Sequence, residues 1–216
     1  MFTLCAVVAL IATPEIRLLA QVILSILPRY WWVISASSSG KYHPVFSLGI
    51  GGLLRHSIVT AVFAREIAIA WGLPQEMVDI ATLAGLIHDG QKQGADGAEG
   101  HTVFEHPVLM AKFLRERFPG NKWAKIMAHM VESHMGKWNT SKYSTAVLPT
   151  PKTILQRLLS AADMCAATRE LGTELVTVEQ LAARIALAWN VQEDFPGVRS
   201  AAEACARAWA KNFGEA

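Results

Sequence analysis

An all-α single domain is the fold class this sequence predicts, and three observations carry it. Apolar residues recur at spacings of three and four along most of the chain, no run alternates as a strand would, and no internal repeat is present. At 216 residues the chain fits one domain. Its 52% hydrophobic and 18% charged residues point to a large core with little disordered tail. The expected division is 1–40 for N-terminal helices and a polar loop, 41–170 for a core carrying the chemistry, and 171–216 for C-terminal helices.

Residues 2–27 are rich in Ala, Val, Ile and Leu, but Pro14, Glu15, Arg17 and Gln21 interrupt them. A membrane span needs roughly 20 uninterrupted apolar residues, so two short buried helices are expected here, with a membrane anchor as the alternative. The positive start and small-residue cleavage site of a secretory signal are not clear. Pro28 ends this region, and the aromatic stretch 29–33 is expected to pack. Residues 35–44 form a polar loop of small residues whose accessible N–H groups can cradle an anion.

From Leu53, residues His56, Val59, Phe63, Ile67 and Ala70 share one helical face, and Gly72 and Pro74 close that helix. The next helix is expected over 75–89, delivering His88 and Asp89 at its C-terminal end. Residues 90–100 hold four glycines and read as a loop. A helix then starts near His106-Pro107, another spans 122–134 and stops at Gly136, and a third covers about 152–168 with Asp163 inside it. Two or three helices follow, anchored by Trp189, Phe195, Trp209 and Phe213, with no chemistry evident in them.

Net charge is +2, so nucleic acid would be held only with the help of locally clustered Lys and Arg. Cys5, Cys165 and Cys205 are odd in number and widely separated, which suits a reducing, cytoplasmic setting.

The chemistry concentrates on histidines and aspartates placed where burial is expected. Asp163 lies in the apolar run 158–167, where an unpaired carboxylate costs several kcal/mol. A metal or an arginine would compensate it. Taken singly, a core-facing His56 is more often a hydrogen-bonded interior histidine, Asp163 an ion-pair partner, and His88-Asp89 an accident of a helix end. Their joint occurrence in this order shifts the balance. His56, then His88-Asp89, then Asp163 resembles the H…HD…D signature of the HD superfamily of metal-dependent phosphohydrolases.

The context strengthens the match: Gly51-Gly52-Leu53-Leu54-Arg55-His56 precedes it, and His88-Asp89-Gly90-Gln91-Lys92 resembles HDxGK, with Gly90 and Gln91 in place of the usual apolar-Gly pair. Residues 38–44, Ser-Ser-Gly-Lys-Tyr-His-Pro, are similar to a loop of small phage-type HD proteins. The GGLLxH, HDxxK and HxxxSHxG elements resemble the HD domain of certain bacterial 3′-to-5′ exoribonucleases. The DGxGYP sequence of HD-GYP cyclic-di-GMP phosphodiesterases is missing after His134, as is the additional motif of the large dNTP triphosphohydrolases.

What the resemblance implies is a helical bundle with a metal site between helices, in which His56, His88, Asp89 and Asp163 hold one divalent ion. His106, His129 and His134 would complete a second, with Asp89 bridging. Five residues of regular helix rotate by about 140°, so His129 and His134 cannot both face the site unless the helix ends or bulges near Ser133. Gly136 favours His134. Ligation by His and carboxylate without Cys suits Mn, Fe, Ni, Co or Zn.

The expected activity is hydrolysis of a nucleotide phosphoester by a metal-activated water, with Asp89 and Lys92 catalytic. Lys41, His43, Arg55 and Trp138 are candidates for substrate contact. A short single-stranded RNA or DNA end is the alternative substrate, and a non-catalytic nucleotide sensor the alternative role.

Overall fold

The computed structural model describes residues 3–37, 40–95, 101–172 and 176–214. Among these the helical periodicity becomes nine α-helices: α1 (Leu4–Ala9), α2 (Pro14–Ile26), α3 (Gly52–Ala70), α4 (Gln75–Ile87), α5 (His106–Arg117), α6 (Lys122–Val131), α7 (Ile154–Ala166), α8 (Val178–Trp189) and α9 (Val198–Asn212). No strand occurs among the described residues, so the architecture is an all-α bundle.

Helix α3 is its axis. Residues on nearly every side of it are buried, Leu53, Val59, Phe63 and Ile67 among them, and a helix that is apolar all round has to be enclosed. Helices α4, α7 and α9 pack around it, while α5 pairs with α6, and α8 with α9.

The N-terminal apolar region forms two short helices, and no described helix is long and apolar enough to cross a membrane. A buried carboxylate fixes their attachment. Asp79, on α4, accepts hydrogen bonds from the backbone N–H of Ala12 (3.1 Å) and Thr13 (2.8 Å), and from Thr13 Oγ1 (2.6 Å). It thereby serves the otherwise unpaired N–H groups at the start of α2. Burial pushes this carboxyl up, but the Thr13, Ala12 and Gln75 donors outweigh burial and hold it below its usual 3.8.

A folded-state pKa below the unfolded value contributes stability above that value, and the contribution disappears as the pH falls through the folded pKa. Asp79→Ala is therefore expected to lower the unfolding free energy by about 1–3 kcal/mol near neutral pH. The gap between variant and wild type should close as the pH falls from about 5 into the acid range. Urea titrations over that range check it; a gap independent of pH would show that the carboxylate's charge contributes nothing.

Three helices are shorter than the sequence predicts, each for a local reason. Helix α4 stops at Ile87, and His88 and Asp89 lie in the turn beyond it. Gly90 makes that turn: a Cβ there would come within 2.8 Å of both Leu27 Cδ2 and Met110 Sδ. Helix α6 ends at Val131 rather than near residue 134. Helix α7 begins at Ile154, where Thr153 and Gln156 form a reciprocal capping box.

Candidate metal centre

Three of the histidines brought inward are oriented by their own backbone. In the turn after α4, His88 Nδ1 donates to Gly85 O at 2.8 Å. At the start of α5, His106 Nδ1 donates to Val103 O at 2.7 Å, and after α6, His134 Nδ1 donates to Val131 O at 2.8 Å. All three bonds run to the carbonyl three residues earlier. Committing Nδ1–H to a carbonyl leaves Nε2 with its lone pair, which is the tautomer a metal requires.

The Nε2 atoms converge on two carboxylates. His56 Nε2, from α3, lies 3.0 Å from Oδ1 of Asp163 on α7, and His88 Nε2 lies 3.4 Å from the same oxygen. The oxygens of Asp89 face different neighbours. Oδ2 meets Lys92 Nζ at 2.6 Å and His88 Nε2 at 3.5 Å, while Oδ1 meets His106 Nε2 at 2.9 Å and His134 Nε2 at 3.6 Å. His106 and His134 present their Nε2 atoms to each other at 3.3 Å. All six of these His and Asp side chains are buried.

Two ligand groups result, His56-His88-Asp163 and His88-Asp89-His134, with His88 common to both. His88 Nε2 and Asp89 Oδ1 are buried without a well-formed hydrogen bond. Such orphans signal a missing partner, and the chemistry here is that of a divalent cation.

Electrostatics agree. Burial opposes ionisation of Asp89, yet Lys92, His88 and His106 hold its carboxyl well below the usual range. Asp163 is held low in the same way, by His56, His88 and His134 acting against burial. Burial, reinforced by neighbouring His88 and His106, pushes His134 down to about 3, and burial also lowers His56. For His88, burial is outweighed by Asp89 and Asp163, and its pKa rises. Two carboxylates against the single ammonium of Lys92 leave a negative excess, which a proton on His88 or a bound cation can meet. A metal would displace that proton.

A pocket of about 640 Å³ opens onto the cluster. Lys92, His106, His134 and Asp163 face it from the cluster, and Tyr42, Trp138, Met135 and Met164 supply apolar wall. His43 also lines it, with its ring 5.1 Å from that of His56 and its buried Nδ1 unpartnered. Burial, with His56 and Lys92 nearby, pushes His43 down to about 3, so its imidazole is neutral.

Not every residue singled out in the sequence arrives here. His129 stays on the outer face of α6, 52% exposed and 3.0 Å from Glu132 Oε1, because α6 ends only after it and the following turn swings His134 inward alone. It is no part of the ligand cluster. Arg55 is also corrected: its Nε binds Phe46 O and its Nη2 binds Leu48 O at 2.9 Å, so it ties down the 44–48 segment and does not face the pocket. Lys41 is exposed, its ammonium 5.2 Å from the centre of the Tyr42 ring, and it is absent from the pocket lining, whereas Tyr42 itself is present. Ser38 and Ser39 of the proposed anion-cradling loop, and residues 96–100 of the glycine-rich stretch, lie outside the described residues.

Two contributors were not read from the sequence. Tyr30 OH donates to Gly94 O at 2.7 Å and accepts from Gln93 N at 3.1 Å, locking the turn that follows Lys92. Arg184 reaches the pocket from α8, in the segment where no chemistry was evident. Its signal was a lone cation in the apolar run 181–189.

Four histidines and two aspartates, drawn from the helices and the turns that follow them, gather under one pocket as a candidate site for a divalent metal ion. The family model described as HD domain matches residues 53–168, more than half of the chain, and the chain belongs to the HD-domain family, a family of metal-dependent phosphohydrolases. No curated protein matches the chain, and neither does any solved structure.

Proposed function

We propose that the protein hydrolyses a phosphoester of a nucleotide. The observation that carries this reading is the junction of two environments in one pocket, a polar cluster of His106, His134, Asp163 and Lys92 and an apolar wall with Tyr42 and Trp138. The first suits a phosphate and the second a nucleobase.

His56, His88, Asp89 and Asp163 would hold one divalent ion, and Asp89, His106 and His134 a second. Bound there, such ions supply Lewis acidity and lower the pKa of water. The chain's own residues do the rest. Asp89 directs one oxygen at each half of the cluster and is held ionised by Lys92. Neutral His43 offers Nδ1 for a hydrogen bond to substrate. Trp138, 39% exposed at the pocket wall with Lys137 5.4 Å from its ring, offers a stacking face.

The test is turnover of nucleoside monophosphates and short single-stranded oligonucleotides by the Mn²⁺-loaded protein. Nucleotide hydrolysis is expected, and Trp138→Ala should raise KM roughly 5- to 100-fold, the loss of one stacking contact, with kcat nearly unchanged. Absence of phosphate release from every compound would overturn the reading.

A single-stranded RNA or DNA end is the second reading. It draws on the 85%-exposed Tyr143, which has Lys142 4.8 Å from its ring. Ser144 beside it is bonded to Glu105, next to His106. Turnover of oligonucleotides with little of mononucleotides would favour it.

A further inference from the structure

We propose that Arg184 is a specificity residue that binds a second anionic group on the substrate, a phosphate other than the one being cleaved. The inference rests on the phosphoester reading above and names the substrate class more closely. Arg184 belongs to α8, beyond the segment 53–168 that matches the family, so it is a feature of this chain's C-terminal helices.

The half-buried guanidinium is committed on one side only. Its Nε donates to Met164 O and its Nη2 to Ala167 O, each at 3.3 Å. Both are carbonyls at the C-terminal end of α7, groups a guanidinium commonly satisfies. They tether it without neutralising it. No described carboxylate pairs with Arg184, and its Nη1 has no hydrogen bond to a described residue. Lys92, the pocket's other cationic side chain, is already matched to Asp89 at 2.6 Å. Arg184 therefore brings positive charge with no carboxylate partner among the described residues to an otherwise largely apolar wall, and a planar fork of N–H donors there is suited to a phosphate.

Its place is where α7, α8 and the turn after α6 meet at the pocket wall. One turn along α8, Ala188 O accepts from Lys137 N at 2.8 Å, and Gly136, at φ +60°, approaches so closely that a Cβ would lie 2.5 Å from that oxygen. The turn carrying His134 and the end of α7 carrying Asp163 thus both dock on α8, with Arg184 beside them. The tether holds the guanidinium at residues 164 and 167, past Asp163, while the cleaved phosphate is drawn to the His and Asp cluster. A pocket of about 640 Å³ has room for both groups.

The test compares adenosine 5′-monophosphate with adenosine 3′,5′-bisphosphate for wild type, Arg184→Gln and Arg184→Lys, all Mn²⁺-loaded. Wild type should prefer the bisphosphate. Arg184→Gln should raise KM for the bisphosphate by about 10- to 100-fold, the loss of a charge-assisted contact, and leave the monophosphate constants unchanged, with Arg184→Lys between. Equal losses on both compounds would mark a structural role or a contact to the cleaved phosphate and overturn the proposal, as would no effect on either.

Calorimetric titration of the bisphosphate into EDTA-treated protein is scored separately. Weaker binding to Arg184→Gln supports the proposal even if no compound is turned over, a result that would sink only the hydrolase reading. Equal binding to wild type and Arg184→Gln counts against Arg184 itself.

Discussion

Asp89→Ala is expected to abolish metal retention and to cut phosphoester hydrolysis by at least about 10³-fold. Asp89 is the one residue whose two oxygens face both halves of the cluster, Oδ2 toward His88 and Oδ1 toward His106 and His134. Removing it takes away the negative charge that draws a cation to a set of imidazoles. It also strands Lys92, 7% exposed and bonded to Asp89 at 2.6 Å. Breaking a buried pair from one side costs about 3–5 kcal/mol. The double variant Asp89→Ala/Lys92→Met should recover part of that stability and none of the metal. Elemental analysis and thermal melts of the three proteins check both halves; undiminished metal in Asp89→Ala would remove it from the ligand set.

His106→Ala and His134→Ala are each expected to lower metal content by about one ion while the fold survives. His129→Ala should change neither metal content nor activity. The contrast follows from placement. His106 and His134 bring their Nε2 atoms to 3.3 Å from each other beside Asp89 Oδ1, and each has its Nδ1 committed to a backbone carbonyl. Two lone pairs held that close need a proton or a cation between them. His129 points to solvent and bonds to Glu132, and substitutions at such surface positions stay within about 0.5 kcal/mol. A crystal soaked in Mn²⁺ with a single ion and both His106 and His134 turned away would make the site mononuclear.

The sequence by itself determined the fold class and most of the cluster. Helical periodicity made the chain all-α, and the buried setting of Asp163 announced a carboxylate needing compensation. The order His56, His88-Asp89, Asp163 then identified the family. Even the conflict between His129 and His134 was legible, because the pitch of a helix forbids two residues five apart from facing the same way.

Gly136 already leaned toward His134, and the tertiary structure decided how it turns inward: α6 ends at Val131, and the turn seated on Ala188 carries His134 to Asp89. Arg55 looked like a phosphate ligand because a cation beside a metal ligand attracts that reading, yet nearby carbonyls of Phe46 and Leu48 claimed its donors. The roles of Asp79, Tyr30 and Arg184 were not legible, for a common reason. Each acts on groups far away in sequence or displayed from another helix, Asp79 on Ala12 and Thr13, Tyr30 on the turn after Lys92, Arg184 on the end of α7. Periodicity reports which face of a helix is buried; which polar group meets it there is set by how the helices pack.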